Sequence, residues 1–103
     1  MPFEHHGSRA FTVTSVLKNA PAASGVYGLS NAREWIYVGE GANLQGCLLA
    51  HLRGAGPALS RTPTGFTYEL SRAVDRVARQ NRLAQELDPV HNRRSDVVAR
   101  AGE

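Results

Sequence analysis

Two short runs of aromatic and β-branched residues, close together in the sequence, constrain the fold of this chain most. Val26, Tyr27 and Leu29 precede the turn-prone segment 30–33, and the run Trp-Ile-Tyr-Val follows at 35–38. Residues of these types favour strands, and a few turn-forming residues between two strands favour a hairpin. The sequence therefore predicts a β-hairpin near the start of the folded region.

A helix is expected directly after the hairpin. Asn43 is a favourable N-cap, and the helix that follows would carry Leu44, Leu48 and Leu52 on its apolar side. Gly54 marks the position near which this helix should end, because glycine is a poor helix former and a common residue at helix ends.

One further strand and one shorter element are predicted from local patterns. In segment 66–70 apolar and polar residues alternate, which predicts a third strand with one buried and one wet face. Segment 55–64 contains glycine and prolines and predicts a loop. The apolar segment 11–17 is compatible with either a short strand or a helical turn.

The last helix is expected to begin after Ser71 and to end before Pro89. Ser71 can serve as an N-cap, and proline cannot continue a helix. Residues at helical spacing form an apolar stripe that should face the sheet: Val74, Val77, Asn81 and Ala84, with Ala73, Gln80 and Leu87 beside them. The order hairpin, helix, strand, helix predicts a small α/β domain.

The length of 103 residues and a hydrophobic content of 42% suit one domain with one core. We expect a flexible N-terminus over 1–10, a single domain over 11–93 and a C-terminal tail over 94–103. No apolar run approaches the roughly 20 residues that span a bilayer, so a membrane partner is not expected. The N-terminus does not match a secretory signal, and a lone cysteine cannot form an internal disulfide, so we expect a cytoplasmic protein.

Positive charge is unevenly distributed along the chain. The net charge is +3, and arginines are concentrated in the second half. Arginine suits phosphate because its planar group donates two parallel hydrogen bonds, so this bias favours a nucleic-acid partner. A solvated helix face with interspersed carboxylates would produce the same pattern.

Four ordered motifs resemble those of a known family. Gly-Val-Tyr at 25–27 and Tyr-Val-Gly at 37–39 are separated by nine residues, Asn43 and Leu44 begin a helix that later carries His51, and Pro-Val-His-Asn follows at 89–92. In this order and spacing they resemble the GIY-YIG nuclease superfamily over nearly the whole chain.

The resemblance implies an α/β fold of the α+β type, with a three-stranded antiparallel sheet flanked by helices. It also implies a site for one divalent metal, magnesium or manganese, and one scissile phosphate. Tyr27, Tyr37 and His51 would line that site. In the family a tyrosine or its bound water activates the nucleophile, a helix arginine holds the phosphate and a glutamate on a later helix binds the metal.

The two residues that would carry charge in this site are replaced. Cys47 occupies the position four residues past Asn43 where the arginine is expected, and Gln80 occupies the position nine residues before Pro89 where the glutamate is expected. Both substitutions remove a charge, so we expect cleavage to be impaired and no cofactor to be bound. Glu40, beside the tyrosine pair, is the nearest candidate for a relocated metal ligand.

Nucleic acid is the expected partner, DNA more than RNA. The last helix carries arginines three and four residues apart, which predicts an exposed row that could follow a phosphate backbone. The row comprises Arg72, Arg76, Arg79 and Arg82, and the candidate nucleic-acid contacts are Arg53, Arg76, Arg79 and Asn92. Surface pairs with Asp75 and Glu86 would instead neutralise the row.

Structural roles are open for several of the same side chains. Tyr27 and Tyr37 could pack and hydrogen-bond within the sheet, Cys47 could be a small core residue, and His51 could lie at the core boundary. The sequence is compatible with three functions: an impaired nuclease-like domain that binds nucleic acid, an active endonuclease with relocated ligands, and a protein-interaction module on the nuclease scaffold.

Overall fold

Three helices and four strands make up the part of the chain that the computed structural model describes, which is residues 8–54, 59 and 62–90. In chain order they are β1 (Arg9–Ala10), α1 (Val13–Asn19), β2 (Gly25–Ser30), β3 (Trp35–Gly41), α2 (Leu44–Leu52), β4 (Gly65–Leu70) and α3 (Arg76–Leu87). Among these residues, no helix is both long and apolar enough to cross a membrane.

The strands form one antiparallel sheet in the order β1-β4-β2-β3. The predicted hairpin is confirmed as β2 and β3, and β2 lies at the centre with Tyr27 opposite Gly39 on one side and Tyr68 on the other. The α+β fold class is confirmed, and β1 extends the three predicted strands. Its two residues, Arg9 and Ala10, fall in the segment that the sequence assigned to the N-terminus.

Helices cover both faces of the sheet, which creates two apolar layers. On the side of α1 and α2, the fully buried residues include Leu29, Leu44, Leu48 and Phe66. On the side of α3, the smaller layer contains Val26, Val38 and Leu83.

The prediction of one wet face for β4 is wrong because both faces of the sheet are covered. Thr67, on the α3 side, is only 3% exposed, whereas Leu70 is 59% exposed. Leu70 is the last residue of β4 and pairs with Gly25, the first residue of β2, where the central part of the sheet ends.

The first two helices begin at side-chain caps. Thr12 accepts a hydrogen bond from the backbone of Ser15, so the segment left open by the sequence is a helix. Asn43 accepts from the backbone nitrogen of Gly46 at 3.0 Å, which confirms the predicted N-cap. Gly54 follows α2 with φ of +78°, a left-handed conformation that favours glycine.

The predicted apolar stripe of the last helix is wrong for Val74, Val77 and Asn81. Gln80 and Leu87 face the sheet as predicted, and the predicted end is confirmed. Regular α3 begins at Arg76, and Val74 and Val77 are 80% and 57% exposed. The inward side carries Leu83 together with polar side chains that find partners on the sheet. Asp88 adopts a left-handed φ of 48° directly before Pro89, and this ends the helix.

Candidate functional site

Tyr27 of β2, Tyr37 of β3 and His51 of α2 lie in mutual contact, and we call them the aromatic cluster. The Oη atom of Tyr27 is 2.7 Å from Nε2 of His51. The ring centroids of the three pairs are 5.3 to 6.1 Å apart. The structure therefore brings together the three residues that the sequence assigned to the site.

Gly39 provides the space for this cluster. It lies opposite Tyr27 in the sheet, and a Cβ atom added at Gly39 would be 2.5 Å from Tyr27 Oη and 2.8 Å from Tyr37 Cε2. A side chain at this position would force both rings to move. The glycine of the Tyr-Val-Gly motif is thus required by the close approach of the tyrosines.

The two phenols of the cluster remain protonated at neutral pH. Burial raises the pKa of Tyr27 well above its usual range, and the neighbouring Tyr37 raises it further. Burial also raises the pKa of Tyr37, against the effect of a hydrogen bond with Tyr27. Which partner donates in the Tyr27–His51 bond depends on the imidazole tautomer. The cluster offers neutral hydrogen-bonding groups and aromatic faces.

Cys47 projects from α2 and packs as a half-buried side chain against the core. Its sulfur lies against Gly41, where any Cβ atom would collide with it. Burial is the main cause that raises the pKa of Cys47, so the thiol is neutral at physiological pH. The position where the resemblance expects an arginine therefore supplies no charge.

Gln80 projects from α3 toward the sheet. Its Nε2 donates a hydrogen bond of 3.1 Å to the backbone carbonyl of Val38 in β3. The amide therefore serves as a tie between the helix and the strand. It supplies no anionic oxygen at the position where the resemblance expects a metal ligand.

The expected exposed row of arginines on the last helix is wrong, because two of its members point inward. Arg76 donates from Nε to Glu40 at 2.7 Å and from Nη1 to Ser24 Oγ at 2.9 Å. Arg79 donates to both carboxylate oxygens of Glu69, at 2.7 and 2.9 Å. The arginine side chains are only 20% and 22% exposed.

The other two predicted nucleic-acid contacts have different outcomes. Arg53 is exposed at the end of α2, two residues after His51. Asn92 lies outside the described residues. Arg72 lies in the segment before α3, is 81% exposed and pairs with Asp75, which agrees with the alternative of a surface pair.

Groups from both faces of the sheet meet at the outer edge of β3, which we call the β3 edge site. Strand β3 ends the order β1-β4-β2-β3, and α2 and α3 pack on its opposite faces. Burial has the largest effect on the pKa of Cys47 and raises it, and a backbone hydrogen bond with Asn43 lowers it. Glu40 raises the pKa of Cys47 further and Arg76 lowers it, so both charged side chains act on the thiol from the other face of β3. The site comprises Tyr27, Tyr37, Cys47 and His51 from one face and Glu40, Arg76 and Gln80 from the other.

Sequence reasoning missed the pairing of Glu40 with Arg76. Arg76 lies four residues before Gln80, and residues at this spacing share one side of a helix. That spacing is the available signal that Arg76 would also face the sheet.

The described residues do not fit the divalent metal that the resemblance implies. A magnesium-type ion requires anionic oxygen ligands. Glu40 is engaged by Arg76, position 80 is an amide, and no group of three or more histidine, cysteine or acidic side chains is close enough together among the described residues to hold a metal.

Comparisons with known proteins agree with the fold. No protein-family model and no curated protein sequence matches the chain. Solved structures of the GIY-YIG N-terminal endonuclease domain of UvrC from Thermotoga maritima do match. A variant with an asparagine replaced by alanine is 17% identical with a TM-score of 0.57, covering 73% of this chain and 91% of that chain.

A second variant of that domain, with a tyrosine replaced by phenylalanine, is 17% identical with a TM-score of 0.55 and covers 73% of this chain and 92% of its own. Both variants are bound to the catalytic divalent cation of that domain. At this identity the comparison establishes a shared architecture. The chain has a GIY-YIG-like fold.

Proposed function

We propose that this chain binds a nucleic acid strand at the β3 edge site and does not hydrolyse it. The observation that carries the proposal is the intact aromatic cluster beside two uncharged replacements, Cys47 and Gln80. The scaffold is shared with an endonuclease domain, so nucleic acid is the class of ligand to which such a site is suited. DNA is the form that we propose first.

The exposed parts of the site suit a phosphodiester strand. The half-buried phenol of Tyr37, the imidazole of His51 and the exposed guanidinium of the neighbouring Arg53 can donate hydrogen bonds to phosphate oxygens, whereas Tyr27 is buried and bonds to His51. Aromatic faces can stack on bases without selecting a sequence. The net charge of +3 favours association with a polyanion.

Hydrolysis requires charge stabilisation that these residues do not supply. The transition state of phosphodiester cleavage gains negative charge, and losing one positioned donor costs about 10² to 10³ in rate. The thiol of Cys47 and the amide of Gln80 are neutral. The raised pKa of Tyr27 also makes its hydroxyl a poor source of a general base at neutral pH. No cofactor enters the proposal.

An active nuclease with relocated ligands is not favoured by the contacts of the carboxylates near the sheet. Glu40, the nearest candidate for a relocated ligand, is paired with Arg76, and Glu69 is held by both ends of its carboxylate to Arg79. A metal would have to displace an arginine to reach either side chain.

A protein-interaction module is the second candidate function, and one observation favours it. Leu70, Val74 and Val77 are large apolar residues with more than half of their surface exposed. Exposed apolar residues near one another are typical of surfaces that contact other proteins.

Binding and cleavage can be tested together with fluorescein-labelled branched, duplex and single-stranded DNA. We expect salt-dependent binding by anisotropy and no product in magnesium or manganese. Arg53→Ala should weaken binding more than Arg33→Ala, a matched loss of one exposed arginine in the hairpin turn. Metal-dependent cleavage that is abolished in Tyr27→Phe would overturn the proposal, and absence of binding at low salt would favour the protein-interaction module.

A further inference from the structure

Arg76 is held over the sheet by two partners, one near the end of β3 and one directly before β2. Its Nε atom donates to Glu40 and its Nη1 atom to Ser24, at 2.7 and 2.9 Å. A guanidinium has five N–H donors. The contacts of Arg76 with the other described residues leave its Nη2 group uncommitted, so this cation has capacity for a further acceptor.

The Glu40–Arg76 pair differs from the neighbouring pair between Glu69 and Arg79. Arg79 forms two parallel hydrogen bonds with one carboxylate, which is the stronger and more specific geometry. Arg76 forms one hydrogen bond with Glu40 and shares its second donor with a serine hydroxyl. The Glu40 carboxylate is also the more exposed of the two, at 26% against 15%. A competing anion would therefore displace Glu40 more readily than Glu69.

The Glu40–Arg76 pair lies on the face of β3 opposite the aromatic cluster but within electrostatic reach of it, since burial and, to a smaller extent, Glu40 raise the pKa of Tyr27 and Tyr37. Glu40 is flanked in β3 by Gly39, which borders Tyr27 and Tyr37, and by Gly41, which borders Cys47. Neither glycine adds a side chain between the pair and the cluster. An anion that reaches past the cluster to the other face of β3 would meet Arg76, whose charge already acts on Cys47.

We infer that Glu40 is an internal counter-ion that masks Arg76, and that a phosphate group of a bound strand displaces Glu40 and takes Arg76 as its ligand. The inference rests on the proposed function, since it identifies the cation of the same site. In the free protein the carboxylate neutralises the guanidinium. In the complex the phosphate takes its place, and Glu40 reduces affinity because its charge must be moved away.

The substitution Glu40→Gln isolates this effect. The amide oxygen can still accept from Arg76, but the negative charge that competes with phosphate is gone. We expect the affinity for a labelled 20-nucleotide DNA strand to rise about tenfold at low salt. The dependence of log affinity on log salt should steepen by roughly 0.7 to 0.9, because in the wild-type complex the displaced Glu40 carboxylate takes up a cation that offsets the counter-ion released by one phosphate contact.

Glu69→Gln is the matched control, because it removes the same charge from the pair next to Arg79. The proposal that Glu40 masks Arg76 is supported if Glu40→Gln raises DNA affinity more than Glu69→Gln does. The increase in affinity should also disappear in the double variant Glu40→Gln with Arg76→Gln. Equal gains in the two single variants, or a gain that survives removal of Arg76, would overturn it. Thermal unfolding by circular dichroism verifies that each variant is folded.

A second measurement uses the unmodified protein. The Nε–H resonance of Arg76 in ¹⁵N-labelled protein should shift when the DNA strand is added, while that of Arg79 stays in place. An unmoved Arg76 resonance in a saturated complex contradicts the mask.

The mask and the proposed function fail in different ways. DNA binding by the wild type with no gain in Glu40→Gln removes the mask and retains the function. Binding by Glu40→Gln alone supports the mask and removes the function of the wild type. No binding by either protein overturns both.

Discussion

The aromatic cluster depends on a residue that has no side chain. Gly39 allows the rings of Tyr27 and Tyr37 to lie against β3, because a Cβ atom at this position would collide with both of them. The hydrogen bond between Tyr27 and His51 therefore depends on the backbone of a third element.

Gly39→Ala should destabilise the protein by about 1 to 3 kcal/mol, the typical cost of overpacking. The added methyl group would meet the hydroxyl of Tyr27 and the ring of Tyr37. Urea unfolding measures the loss. Gly46→Ala is the comparison, because its Cβ atom would lie 3.3 Å from the Asn43 side chain and alanine favours a helix. Equal stability of the two variants would contradict the close approach at Gly39.

Gln80→Glu should cost about 1 kcal/mol at neutral pH. Glutamate cannot donate the hydrogen bond that Gln80 gives to the Val38 carbonyl, and it places a negative charge beside that oxygen. Gln85→Glu makes the same change on the exposed side of the same helix and should be close to neutral. A Gln80→Glu variant that is as stable as Gln85→Glu would show that the tie to β3 contributes nothing.

At the scale of elements, α3 shows where sequence patterns reach their limit. Helical spacing defines two sides of this helix, one with Val77 and one with Arg76 and Arg79. The more apolar side was predicted to face the sheet. The structure instead turns Arg76 and Arg79 inward, because Glu40 and Glu69 on the sheet provide their partners. Those carboxylates are 36 and 10 residues away in sequence. Hydrophobic periodicity contains no information about such pairs.

The orientation of α3 predicts a large loss of stability for one apolar truncation and a small change for another. Leu83 is fully buried, so Leu83→Ala should lose about 2 to 5 kcal/mol. Val77 is 57% exposed, so Val77→Ala should change stability by less than about 0.5 kcal/mol. Urea unfolding of the two variants decides between the observed orientation and the predicted stripe. If Val77→Ala lowered the free energy of unfolding more than Leu83→Ala, the predicted stripe would face the sheet and the observed orientation of α3 would be wrong.

At the scale of the molecule, the fold was predictable because its signals are local. The hairpin, the Asn43 cap and the glycine of the Tyr-Val-Gly motif lie within a few residues of the elements that they determine. The same motifs located Tyr27, Tyr37 and His51, which the structure brings together. The charged half of the site was not predictable, since the Glu40–Arg76 contact depends on how α3 lies on the sheet.

One buried and two half-buried groups make the stability of the molecule sensitive to alkaline pH. Burial raises the pKa of Tyr27, Tyr37 and Cys47 above their ordinary values of 10.0 for the phenols and 9.0 for the thiol. The unfolded chain therefore releases these protons at a lower pH than the folded chain. Their contribution to stability is fully present below the ordinary pKa values and is lost as pH rises above them.

We expect the free energy of unfolding to fall progressively above about pH 9, with the steeper part above pH 10 where the phenols of the unfolded chain ionise. Urea unfolding at pH 7.5, 9, 10 and 11 measures this dependence. Tyr27→Phe should reduce it more than Cys47→Ala, because the pKa of Tyr27 is raised far above its usual range by burial and by Tyr37. The Tyr27→Phe variant also removes the hydrogen bond to His51, so its stability should be lower at pH 7.5 while its loss on raising the pH is smaller. An identical pH dependence in wild type and Tyr27→Phe would mean that this phenol is not buried in the folded protein, and the packing of the aromatic cluster would have to be rejected.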